Sequence, residues 1–131
     1  MIGELNLTTL LRSMKPKLFE EDYVFCSVPT ERVATLNLIP VCQFRESEGM
    51  TLIITKQQAE EVNLDYEFVC QMITLSVHSS LEAVGFLAAI TNKLAENEIS
   101  VNAVSAYYHD HLFVPANKAE KVMQILTDMS K

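Results

Sequence analysis

Three parts of this 131-residue chain carry side chains able to do chemistry. The first is the triplet His109-Asp110-His111. Imidazole and carboxylate are good ligands for zinc, iron or copper, so the triplet invites a metal reading. An aspartate at a tight turn, however, need not leave its two flanking histidines with a common focus. No further histidine or carboxylate pair accompanies them at ligand spacing, and His78 is distant in sequence. Strands about 4.8 Å apart could still bring His78 near the hairpin. The turn reading is preferred, and no metal ligand is assigned.

The second part is Ser79-Ser80-Leu81-Glu82. A serine followed three residues later by glutamate is the capping-box pattern, in which each side chain satisfies an orphan amide at a helix start. A contribution of about 1 kcal/mol from such a cap explains these residues without any further role. A helix start also presents unpaired amides and the positive end of a dipole, which suit a carboxylate. Gly85 lacks a Cβ and would let a ligand or a second backbone come close.

The third part is the set Cys26, Cys42 and Cys70, odd in number and embedded in apolar runs. With no CxxC among them, neither a zinc site nor a redox motif is written, and buried free thiols in a reducing compartment are expected. No serine sits in a nucleophile elbow, no cysteine, histidine and aspartate group as a triad, and no glycine-rich phosphate loop occurs. The expectation is a protein that is not an enzyme and needs no cofactor.

The elements that must position these groups are legible from periodicity. Leu7, Leu10, Leu11 and Met14 form one stripe of a short helix, capped by Asn6 or Thr8 and stopped by Pro16. Tyr23 to Val28 alternates as a strand, and Val41 to Arg45 with Thr51 to Thr55 predicts a hairpin through Glu46-Ser47-Glu48-Gly49. Lys56 to Val62 reads as a short helix. Cys70 to Val77 is a strand, and the helix that follows the serines turns Ala83, Leu87, Ile90 and Leu94 inward. Two strands are expected at Ile99 to Tyr108 and His111 to Val114, with Asp110 at the turn between them. A last helix spans Lys118 to Met129. Tyr107 and Tyr108 would point to opposite faces of their strand.

From Phe68 the order is β-α-β-β-α, five of the six elements of a ferredoxin-like unit. The fold class is therefore α+β, with the last edge strand supplied from elsewhere. A bare sheet edge is an aggregation hazard, and the preceding α-β-β-β-α segment can provide the missing strand. Residues 1–67 are expected to form a smaller, degenerate N-terminal half and residues 68–131 the clearer C-terminal domain.

Composition narrows the partners. The net charge is −7, with ten basic residues against seventeen acidic. Nucleic-acid affinity depends on Lys and Arg neutralising phosphates, and an anionic membrane would repel the same surface. Neither is an expected partner. No stretch approaches the roughly 20 apolar residues that span a bilayer, and Met1-Ile2-Gly3-Glu4 lacks the start of a secretory signal. A cytoplasmic protein is expected.

Leu75 to Gly85 followed by Ile99-Ser100-Val101-Asn102-Ala103-Val104-Ser105 resembles the signature of ACT domains. Gly85-Phe86-Leu87 matches the helix start of that family and Glu98-Ile99-Ser100-Val101 its second strand, with Glu98 where the family usually has glycine. Over Val77 to Gly85 and Tyr107 to Pro115, and by extension over the whole chain including Leu10 to Pro16, it is also similar to short bacterial proteins with tandem ACT-like halves, related to ACT-type amino-acid sensors. The resemblance implies a regulatory module that binds an amino acid or similar anion, commonly as a paired domain, here a homodimer. It implies a site at Val77, His78, Ser79, Ser80, Leu81, Glu82, Ala83, Val84 and Gly85, with Asn102 on the adjacent strand. Such domains are often fused to the enzyme they control. Nothing here is left over to be such a partner, so the expectation is a protein that acts on another chain or simply stores or senses a ligand. Two alternatives stand beside this reading: a metal-binding protein or small metal-dependent enzyme using the His109-Asp110-His111 hairpin, and a ligand-free interaction module.

Overall fold

Local chemistry sets most element boundaries in the computed structural model, which describes residues 5–77 and 80–131. Asn6 caps α1 (Leu7–Ser13), its side-chain oxygen accepting the Thr9 amide at 2.9 Å. Pro16 has no N–H for a helix and opens β1 (Pro16–Val28) instead. After Pro29 the chain makes a 3-10 turn and the short α2 (Val33–Leu36), then β2 (Cys42–Glu46) and β3 (Gly49–Thr55). Thr55 and Gln58 form a complete capping box at α3 (Lys56–Glu61). β4 (Glu67–Leu75), α4 (Phe86–Glu96), β5 (Asn102–Ser105), β6 (Asp110–Pro115) and α5 (Ala119–Met129) complete the order.

These elements form two compact units, one of residues 1–20 and 71–131, the other of residues 21–70. Both β1 and β4 divide between them by residue number. In the first unit the strand order is β1-β4-β6-β5. The Ser76 amide donates to the Lys15 carbonyl at 3.1 Å and the Gln71 side-chain amide to the Glu20 carbonyl at 2.9 Å, tying β1 to β4 there. The missing edge strand of the C-terminal β-α-β-β-α pattern is thus residues 16–20. The helices cover one face of this sheet, where Leu10, Ile73, Leu75, Ile90, Leu112 and Leu126 are fully buried. Burying a side chain of this kind is worth roughly 1.5–3 kcal/mol.

In the second unit the order is β2-β3-β1-β4, and the element sequence β1-α2-β2-β3-α3-β4 is a full split β-α-β arrangement. Val24, Leu52, Ile54 and Ala59 fill its core. The hairpin register pairs Cys42 with Ile53 and Glu46 with Gly49. Gly49 is required by that hairpin. Its φ is +150°, and a Cβ would stand 2.8 Å from the Val28 carbonyl oxygen. The fold is ferredoxin-like in both units, as expected for an α+β chain of this pattern.

Four local expectations are corrected. The α2 segment was not anticipated, because four residues carry too little periodicity to register. β1 starts at Pro16, seven residues before Tyr23. The strand expected over Ile99 to Tyr108 is only Asn102–Ser105. At its start, residues 97–99 are consumed in ending α4. At its finish, the Ala106 amide donates to the His109 carbonyl at 3.0 Å and closes a turn. Tyr107 and Tyr108 therefore sit in the turn, their rings edge to face at 5.0 Å, and Asp110 is the first residue of β6. Finally, α4 begins at Phe86 with Gly85 as its N-cap, so Ser80 lies before the helix and not at its cap, while Ser79 lies outside the described residues.

Candidate functional site

Ser80 shows what the loop before α4 does. Its hydroxyl accepts the Glu82 amide at 3.1 Å and its carbonyl accepts the Ala83 amide at 3.0 Å. Both bonds fold the loop into a tight turn of the kind serine favours. The helix then starts from Gly85, held at φ +90° with no side chain to cap the first turn. A residue with a Cβ is strained at that angle, which explains the glycine. The amides of the first turn of α4 consequently look for acceptors outside the helix.

That turn borders a cavity of about 80 Å3 lined by Ser80, Leu81, Ala83, Phe86, Leu87, Ser105, Ala106 and Asp110. All lie in the first unit. Asp110 is only 8% exposed and accepts a hydrogen bond from the Ser105 hydroxyl at 2.6 Å. The cavity is thus bordered by the start of a helix, the positive end of its dipole, and by a carboxylate. A simple anion would meet repulsion from Asp110. A small zwitterion would find a partner for each end.

Three of the residues singled out from sequence, Ser80, Leu81 and Ala83, line this cavity. Gly85 is the helix N-cap beside it. Val77 is half-buried and its carbonyl is taken up by His109. Glu82 is exposed, and Val84 is 85% exposed. His78 and Ser79 lie outside the described residues. Asn102 stands opposite Phe113 in the β5-β6 ladder, whereas Ser105 stands opposite Asp110. Strand alternation puts those pairs on different faces, so Asn102 faces away from the cavity. Phe86, Leu87, Ser105, Ala106 and Asp110 were not singled out for it. Ser105 and Asp110 had a signal available, since a hairpin turn over residues 106–109 makes them a facing pair.

The same alternation places His111 on the face of β6 opposite Asp110, and His109 lies in the turn just before the strand. Their ring centres are 6.4 Å apart. His109 Nδ1 lies 3.2 Å from the Val77 carbonyl oxygen, and His111 Nδ1 lies 2.9 Å from the Thr74 hydroxyl. Burial, and then the neighbouring His109, push the His111 pKa below the usual imidazole value, against a smaller opposing pull from Asp110. Among the described residues, no group of three or more His, Cys, Asp or Glu side chains is placed to hold a metal ion.

The three thiols are free. Cys26 and Cys70 are buried and Cys42 is half-buried. Burial, aided by Asp22, pushes the Cys70 thiol up to about 12, and its Sγ lies 3.4 Å from the Tyr23 carbonyl oxygen. It is a core group, not a nucleophile. No helix of the described residues is long and apolar enough to cross a membrane.

Comparison with known proteins agrees with this architecture. Two ACT domain family models match, one over residues 2–71 and the other over residues 67–128. A crystal structure of a Vibrio cholerae protein of unknown function, described as a possible transport protein, is 44% identical with a TM-score of 0.86, covering 95% of this chain and 96% of its own. An Agrobacterium tumefaciens protein is 16% identical with a TM-score of 0.70, covering 89% of each chain. The regulatory subunit of aspartate kinase from Thermus flavus is 10% identical with a TM-score of 0.67, covering 88% of this chain and 97% of its own. At those lower identities the likeness is one of fold. No curated protein matches. With a split β-α-β arrangement in each unit and a family model on each half, this chain belongs to the ACT domain family.

Proposed function

We propose that this protein is a regulatory module, without catalytic activity, that binds a small molecule carrying an amino-acid head group. The observation that carries the reading is the cavity lined both by the start of α4 and by the buried Asp110. The ligand carboxylate takes the amides of the first turn of α4, and the ammonium takes Asp110. A volume of about 80 Å3 admits such a head group and leaves a larger side chain to extend outward. Ser80, Leu81 and Ala83 shape the wall, and Gly85 keeps the approach open. Family membership and the likeness to a regulatory subunit support the regulatory part of the reading. On this proposal residues 1–67 and 68–131 are the two modules of a cytoplasmic homodimer that acts on another protein. Exposed Ile39 and Phe44 are apolar surface in keeping with a dimer.

A thermal-shift screen against the twenty amino acids tests the ligand. A ligand at a hundred times its dissociation constant stabilises the fold by about 2.7 kcal/mol. Asp110→Asn keeps the shape and removes the charge. It is expected to weaken binding about tenfold or more, because a hydrogen bond to a charged group is worth roughly 1.5–3 kcal/mol. An absence of any shift, or an Asp110→Asn variant that binds as the parent does, would sink the proposal.

A further inference from the structure

His111 lies on the opposite face of β6 from the cavity, with His109 in the turn just before it, and the ligand reading leaves both unused. Their ring centres are 6.4 Å apart. A carbonyl oxygen can only accept a hydrogen bond, so the contact with Val77 fixes the proton of His109 on Nδ1. Its Nε2 then carries the lone pair. This is the second-shell arrangement that holds a metal-binding imidazole in one tautomer and one orientation. His111 Nδ1 is held by the Thr74 hydroxyl, which can donate or accept. Each ring is thus tethered at Nδ1. Asp110 does not belong to the pair, because its carboxylate turns to Ser105 on the other face.

We propose that His109 and His111 form a two-imidazole site, through their Nε2 atoms, for a divalent cation of the copper or zinc class. Imidazole suits these ions, and copper binds such donors more tightly than zinc. Two imidazoles holding one ion at about 2.0–2.1 Å have ring centres roughly 5–6 Å apart. The observed 6.4 Å lies just outside that range, so the rings must draw together when the ion binds. With two protein ligands the remaining positions go to solvent, so the site is an exchangeable one.

The test uses the full chain carrying Cys42→Ser, which removes the half-buried thiol as a competing ligand. Titration with Cu2+ alone and with Zn2+ alone, followed by calorimetry, is expected to give one equivalent, with copper the tighter. His109→Ala and His111→Gln are each expected to weaken binding at least tenfold, while circular dichroism reports whether each variant is folded. A second measurement needs no variant at the histidines. Long-range nitrogen-proton NMR with Zn2+ should move both Nε2 resonances and leave the His109 Nδ1 proton in place. Equal affinity in a folded double variant, or zinc seen at Nδ1, overturns the proposal. Amino-acid binding repeated in a chelator keeps the two sites separate, since loss of one then leaves the other standing.

Discussion

At the scale of single residues the chain shows how much one backbone contact can decide. His109 and His111 share a motif but not an environment, and burial lowers the pKa of His111. The folded ring resists protonation, so below its unfolded value of 6.5 the unfolded chain binds more protons than the native one. The stability this group contributes is complete above that pH and is lost as pH falls through the folded-state value. The melting temperature should therefore drop between pH 7 and pH 5, and His111→Gln should flatten that part of the profile. A variant with the parent's slope would remove His111 from the account.

At the scale of elements the informative feature is how helices stop. After α4 the Glu98 amide donates to the Ala95 carbonyl at 2.9 Å and the Ile99 amide to the Leu94 carbonyl at 3.0 Å. That is the pair of bonds of a Schellman motif, with Glu98 in the left-handed position at φ +57°. The family usually places glycine there, and the turn geometry is kept without it. A left-handed residue with a Cβ costs roughly 1–2 kcal/mol, against which glycine loses some chain entropy. Glu98→Gly is thus expected to stabilise the protein by about 0.5–1 kcal/mol in urea unfolding. Asn63 ends α3 in the same way, at φ +55°. Asn63→Gly should change less, because asparagine tolerates this region better. Destabilisation by Glu98→Gly would mean that the strain has been misjudged.

Across the whole molecule, the two units have separate cores, and the thiols report on one of them. Cys26 and Cys70 lie within the unit of residues 21–70. Burial raises the pKa of both, that of Cys70 to about 12. Each should stay unmodified by a thiol reagent at pH 8 until that unit opens, while Cys42 is modified quickly. Mass spectrometry against time would show one fast label and two slow ones. Equal rates for all three would contradict a buried Cys70. Because Cys42 sits on β2, at the edge of its sheet, its rapid labelling also measures how uncovered that edge is.

The sequence alone determined the element types wherever periodicity ran long enough, as in α4, α5, β3 and the β5-β6 hairpin. It also determined the ACT resemblance, since that depends on which residues are present. The cavity was half legible. Ser80, Leu81 and Ala83 sit in a loop whose composition advertises a turn, but Asp110 enters only once the hairpin register places it beside Ser105. Tertiary structure decided the rest. Which strand completes the C-terminal sheet, which face Asn102 occupies, and whether two histidines meet all depend on pairing between distant segments. A one-residue shift in a strand's register reverses every side chain it carries. Local composition holds no information about that choice, and the packed sheet makes it.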